Sequence, residues 1–197
     1  MILDGPALNA YRRLVDFPAS WHVAGGWAID LHLERKRREH KDIDIAIARQ
    51  DQLLLEAHLA DCKLVEVRDH EFVPHNRGDI LRPPRFQIFA DNATPDGIES
   101  WEFLLEDYRD GQWTYRRNPV VTLPVTEAHF STSDGIPYLA PEIVLLFKAK
   151  QVSGLGASPN DDLDFLDSVE TLSERGHRWL VGAIRAAWPD HSWLASL

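Results

Sequence analysis

A single cysteine, a single methionine and the lack of any long apolar run set the first limits on this 197-residue chain. With Cys62 alone, no disulfide can form within the chain, and a cytoplasmic setting is the expectation. No stretch approaches the ~18 consecutive apolar residues of a bilayer-spanning helix, so no membrane partner is expected. The opening residues, MILDGPALNAYRRL, lack a basic segment followed by an apolar one, and no secretory signal is read there. Positive charge is also scarce: 21 Lys and Arg stand against 31 Asp and Glu, a net charge of −10. Long nucleic acid, whose binding rests on neutralised phosphates, is a poor partner for that balance, and a small cationic molecule suits it better. Internal repeats and low-complexity tracts are missing too. What is present, 44% hydrophobic and 26% charged residues, is the composition of a soluble globular chain of one domain or two small ones.

The most informative stretch runs from Trp21 to Ala48, WHVAGGWAIDLHLERKRREHKDIDIAIA. A short apolar run breaks at Gly25-Gly26, an amphipathic segment follows to Leu33, and a charged loop leads into Asp42-Ile43-Asp44-Ile45. Alternation there predicts a strand with one wet and one buried face, and places Asp42 and Asp44 on the same side. Two carboxylates side by side repel unless a cation lies between them, and Mg²⁺ is the hard, oxygen-seeking ion that fits. A Gly-Gly turn between strand and helix brings bare backbone N–H groups and a helix N-terminus against phosphate. Together these predict a nucleoside triphosphate site. Separately each half has a plainer reading, a solvated strand face and an ordinary turn.

Gly25-Gly26-Trp27-Ala28-Ile29-Asp30, followed by His40-Lys41-Asp42-Ile43-Asp44, resembles the nucleotidyltransferase superfamily that includes polymerase-β-like enzymes. Within it the pattern is similar to the aminoglycoside 2″-nucleotidyltransferase group and its lincosamide-modifying relatives. A second block, YLAPEIVLLFKAK at 138–150, resembles the same group's C-terminal half. The resemblance implies an α/β (α+β) nucleotidyltransferase fold with a mixed sheet, a catalytic core over 1–135 and a helical C-terminal bundle over 136–197. It implies Mg²⁺-dependent transfer of a nucleoside monophosphate, AMP before others, from an NTP to a hydroxyl of a small molecule, with release of pyrophosphate. Two rival readings stay open: the same fold acting on a protein or an RNA end, and a catalytically silent nucleotide-binding protein.

The resemblance also asks for a third carboxylate on a strand beside Asp42 and Asp44. Glu102 on the expected strand Ile98–Glu106 is the first candidate and Glu106, on the same face, the second; all three metal ligands would then be Asp42, Asp44 and Glu102. Gly25 and Gly26 would hold the phosphates. Arg38, just ahead of His40, is the member of the basic cluster 35–41 chosen to meet the triphosphate; the other members read as a solvated loop, and His40 as its brace. Asp30 either orients the turn or faces water. Lys148 and Lys150 either reach the phosphates or cap their helix. Glu142 either is a first-turn acid or accepts the proton of the attacking hydroxyl. Relatives commonly carry Lys before Asp-x-x-Asp; Asn160 replaces it here, so Asp161 and Asp164 read as a cap and a brace. His70 and His75 lack metal-ligand spacing. Acids at Glu99, Glu106, Asp107, Asp110 and Glu142 would line a polycationic acceptor's side of the cleft.

Overall fold

The computed structural model describes residues 2–94, 97–150 and 158–197. Helix α1 (Gly5–Leu14) leads to β1 (Trp21–Val23), α2 (Gly25–His32) and β2 (Asp44–Ala48). Then come α3 (Gln52–His58), β3 (Lys63–Arg68), β4 (Glu71–Pro74), β5 (Gln87–Thr94) and the long β6 (Gly97–Arg109). Strands β7 (Gln112–Thr114), β8 (Thr122–Pro124), β9 (His129–Ser131) and β10 (Pro137–Leu139) precede α4 (Pro141–Lys148), α5 (Pro159–Ser168) and α6 (Glu174–Ala187).

The main sheet runs β4-β3-β5-β6-β2-β1-β10-β9, with β7 and β8 extending the far end of β6 as a meander. It is mixed, as expected: β2 is parallel to β6 and β1 parallel to β10, while the other pairs are antiparallel. Alternation along β6 divides its faces. Trp101, Phe103 and Leu105 are fully buried with Ile45 and Ile47 of β2, and α1 packs on this side through Ala7, Ala10 and Leu14. Glu102, Leu104 and Glu106 take the other face, toward α4 and the C-terminal helices.

Several boundaries differ from the expectation. Asp42 stands outside β2 and is exposed, although the ladder reaches one residue past the strand, where Glu102 N–H donates to the Ile43 carbonyl at 3.1 Å. The first helix, expected over Ala7–Asp16 with Val15 on its buried face, ends at Leu14, and Val15 is exposed. The next helix, expected to reach about Ala60 with Leu54, Leu55, His58 and Leu59 as its apolar side, ends at His58; α3 buries Gln52, Leu55 and Glu56, and Leu54 faces solvent. Strand β10 lies past residue 135 and yet pairs with β1, so the sheet draws on chain from the part expected to be helical. The Gly- and Ser-rich stretch 152–160, expected as a flexible connection, falls mostly outside the described residues, but α5 already begins within it at Pro159, behind a capping box between Ser158 and Asp161. The C-terminal helices pack through α4 against α5 and α6.

Candidate active site

The site is built at the start of β2. Because β2 and β6 are parallel and in register, Asp44 lies opposite Glu102, and the two carboxylates share a hydrogen bond. Burial pushes Asp44 up to about 7, with the charges of Glu102 and then Asp42 adding to it and Lys148 opposing. Burial likewise raises Glu102, even though the Gln87 side-chain amide donates to its Oε1 and Arg116 stands near. A pair that must hold a proton to tolerate its own charge is a site short of one cation. Among the described residues no three His, Cys, Asp or Glu side chains enclose a metal as they stand. The donor set is still all-carboxylate, with Asp42 close enough to raise both partners, and that chemistry fits a hard divalent ion.

The glycine turn abuts this pair. Gly25 has φ +58°, and a Cβ there would fall 1.9 Å from Asp44 Oδ2. At Gly26 a Cβ would fall 2.5 Å from Arg38 Nη2 and 2.6 Å from His40 Cε1. Both positions therefore need glycine, the first for its backbone and both for space. Helix α2 starts here with its first N–H groups free of any side-chain cap.

Behind the turn, the basic loop is a clamp. Asp30 is fully buried; it accepts from Arg37 Nε at 2.7 Å and lies 2.6 Å from His40 Nε2, which leans on the Trp27 ring. Arg37 continues to Asp164 at 2.7 Å and Asp167 at 3.0 Å, binding α2, the loop and α5 together. The solvated-loop reading fails for Arg37, whose side chain is 6% exposed, because three carboxylates converge on its guanidinium. His40 is the expected brace, and of the two readings for Asp30 the structure gives the orienting one. Lys148 bridges Asp161 at 2.8 Å and Asp164 at 2.7 Å, and Arg38 reaches Asp164 at 3.3 Å. Burial would raise Asp164, but Lys148, Arg38 and Arg37 outweigh it and hold it below the usual carboxylate range. Asp161 and Asp164 thus act as the cap and brace their sequence predicted.

A cleft of about 410 Å³ opens over these groups, lined by Gly25, Asp44, Glu102, Lys148 and Lys150 among others. Glu106 does not share it: it is buried four residues further along β6, taking Trp113 Nε1 at 2.7 Å and Arg116 Nη1 at 2.9 Å. Glu142 lies outside as well, packed against Gly176 of α6 with a raised pKa from burial, because the first turn of α4 faces α6. Sequence reasoning missed Gln87 and Arg116. Nothing in their local sequence marks them; only the pairing of β5 with β6 and the turn after β7 bring them to Glu102.

This sheet, turn and carboxylate pair define a nucleotidyltransferase fold. The sequence pattern of the aminoglycoside-2″-adenylyltransferase family matches residues 7–115, more than half of the chain, and the chain belongs to that family of enzymes. Three solved structures are similar in fold. One, a lincosamide antibiotic adenylyltransferase, LnuA, bound to lincomycin, is 20% identical with TM-score 0.57, covering 84% of this chain and 96% of its own. The crystal structure of ANT(2″)-Ia with adenylyl-2″-tobramycin is 15% identical with TM-score 0.60, covering 90% and 95%. The solution structure of ANT(2″)-Ia, the antibiotic-resistance factor, is 17% identical with TM-score 0.58, covering 90% and 88%. No curated protein matches the chain by sequence. Among the described residues no helix is long and apolar enough to cross a membrane.

Proposed function

We propose that this protein transfers AMP from ATP to a hydroxyl of a small antibiotic-like molecule, in a Mg²⁺-dependent reaction that releases pyrophosphate. The observation that carries the reading is the in-register pair Asp44–Glu102 directly beside the Gly25-Gly26 turn. Asp42, Asp44 and Glu102 would hold the divalent ions, which supply charge stabilisation at the α-phosphate and lower the pKa of the attacking hydroxyl.

The chain's own groups do the rest. Backbone N–H groups at the start of α2 receive the β- and γ-phosphates; Lys148 on the cleft wall supplies positive charge, and Arg38 adds to it from behind the turn beside Gly26, each shared with Asp164. Lys150, exposed at the cleft rim, adds to the same field. Gln87 orients Glu102 by donating to its Oε1. The acceptor oxygen forms a bond to the α-phosphorus as the bond to the bridging oxygen breaks; pyrophosphate leaves, and Glu102 takes the hydroxyl proton. Glu142, turned toward Gly176, has no part in this step.

The test is nucleotide binding. Asp42→Asn and Asp44→Asn should lose Mg²⁺-dependent ATP affinity in titration calorimetry while circular dichroism stays unchanged. Normal MgATP binding by both variants would remove the metal-site reading.

A further inference from the structure

Next to the cleft, a second cavity of about 660 Å³ runs under the β6–β7 meander. The two spaces share one wall, made by Phe86, Arg116 and Arg117. The Arg116 guanidinium is fixed between the rings of Phe86, 3.9 Å away, and Phe147, 4.2 Å away, and is paired to buried Glu106. That wall lies on the far side of the carboxylates from the glycine turn. Across the sheet the order is β1 with its Gly25 turn, then β2 with Asp44, β6 with Glu102, and β5 with Gln87, each ~4.8 Å from the next. An in-line displacement sets the attacking oxygen opposite the leaving pyrophosphate. With pyrophosphate at Gly25-Gly26, the acceptor enters from the Glu102 side, where this cavity opens.

Its charge is informative. Asp107 is taken by Arg49, with contacts of 2.6 and 2.9 Å, and Glu106 by Arg116. Of the other acids that would favour a polycation, Glu99 accepts from Asn9 at 2.8 Å and Glu142 is turned to α6. Only Asp110 lines the cavity without a cationic partner among the described residues. Against it stand Arg109, and Arg117, whose hydrogen bonds go to the Tyr115 hydroxyl and the Phe147 carbonyl and not to a carboxylate. Pro83, Pro84 and Tyr108 supply apolar surface.

We infer that this cavity receives the acceptor, and that Arg109 and Arg117 select a hydroxylated molecule with an apolar portion and at most one positive charge, against polycations. The inference rests on the nucleotidyl-transfer reading above, and its test separates the two. Binding of lincomycin, singly basic, and of tobramycin, multiply basic, is titrated with and without MgATP. Wild-type protein should bind lincomycin with little response to salt and tobramycin more weakly. The double variant R109E/R117E should bind tobramycin roughly ten-fold more tightly, with an affinity that falls as salt rises. Thr114→Trp, which fills the cavity from β7, should block lincomycin and leave MgATP binding unchanged. Tighter wild-type binding of tobramycin, binding of neither probe, or loss of MgATP affinity in Thr114→Trp each overturns the inference. Failure of MgATP binding by the wild type is a separate result, and it overturns the reading beneath.

Discussion

Asp44 is in tension with its surroundings, and the tension has a measurable sign. Its folded pKa, about 7, lies above the ordinary 3.8, so the folded state binds the extra proton. Without metal, stability must therefore fall as pH rises from about 4 to about 7. Asp44→Asn removes that loss: in EDTA its melting temperature should exceed the wild type's at pH 8, with the difference shrinking toward pH 4. A variant less stable than wild type at pH 8 would contradict this origin. Glu102 and Glu106, on one face of β6, should separate cleanly. Glu102→Gln should cut turnover by orders of magnitude with little change in stability. Glu106→Gln leaves the Arg116 guanidinium buried beside a neutral partner and should cost about 3 kcal/mol in urea unfolding. If Glu106→Gln removed turnover without destabilising, the third carboxylate would have to be Glu106 after all.

The elements carrying these residues were legible to different degrees. The β1–turn–α2 unit and the β2 strand could be read because a glycine pair and an alternating pattern are local signals. Strands β9 and β10 could not, since each is three residues long and sits among turn residues; β10 pairs with the edge of β1, and β9 with β10. The Arg37 clamp was hidden for a similar reason. In sequence it is one cation in a basic run, and only the docking of α5, 127 positions on, turns it into a buried hub. Arg37→Ala should therefore destabilise by about 3–5 kcal/mol, since Asp30 and Asp164 lose a shared partner. It should also raise amide exchange in α5. Arg37→Lys should recover little, because a point charge cannot serve three carboxylates as a planar fork does. Full recovery by lysine would mean that net charge, and not geometry, holds the loop.

Over the whole molecule, two buried groups oppose each other in pH. His22 of β1 and His129 of β9 stack with ring centroids 3.7 Å apart; burial pushes His22 down to about 3, with His129 adding to it, and burial pushes His129 down to about 4. Both are neutral when folded, so their contribution is intact above 6.5 and is lost as pH falls from there toward 4. Between pH 4 and 7 the two therefore offset: the histidines cost stability as pH falls, and metal-free Asp44 costs it as pH rises. His22→Phe, which also removes an unpartnered buried Nδ1, should gain on the wild type in urea midpoint as pH falls from 6.5 to 4.5. A difference from wild type that stays constant with pH would assign acid sensitivity elsewhere. Above both effects stands the proposed chemistry, metal-dependent nucleotidyl transfer at the Asp44–Glu102 pair beside the glycine turn. The direct measurement is pyrophosphate release from ATP in the presence of lincomycin and tobramycin, with wild type, Asp44→Asn and Glu102→Gln compared at equal Mg²⁺. Release by the wild type that EDTA stops and both variants lack is the predicted result; Mg²⁺-independent release, or full release by either variant, would contradict it.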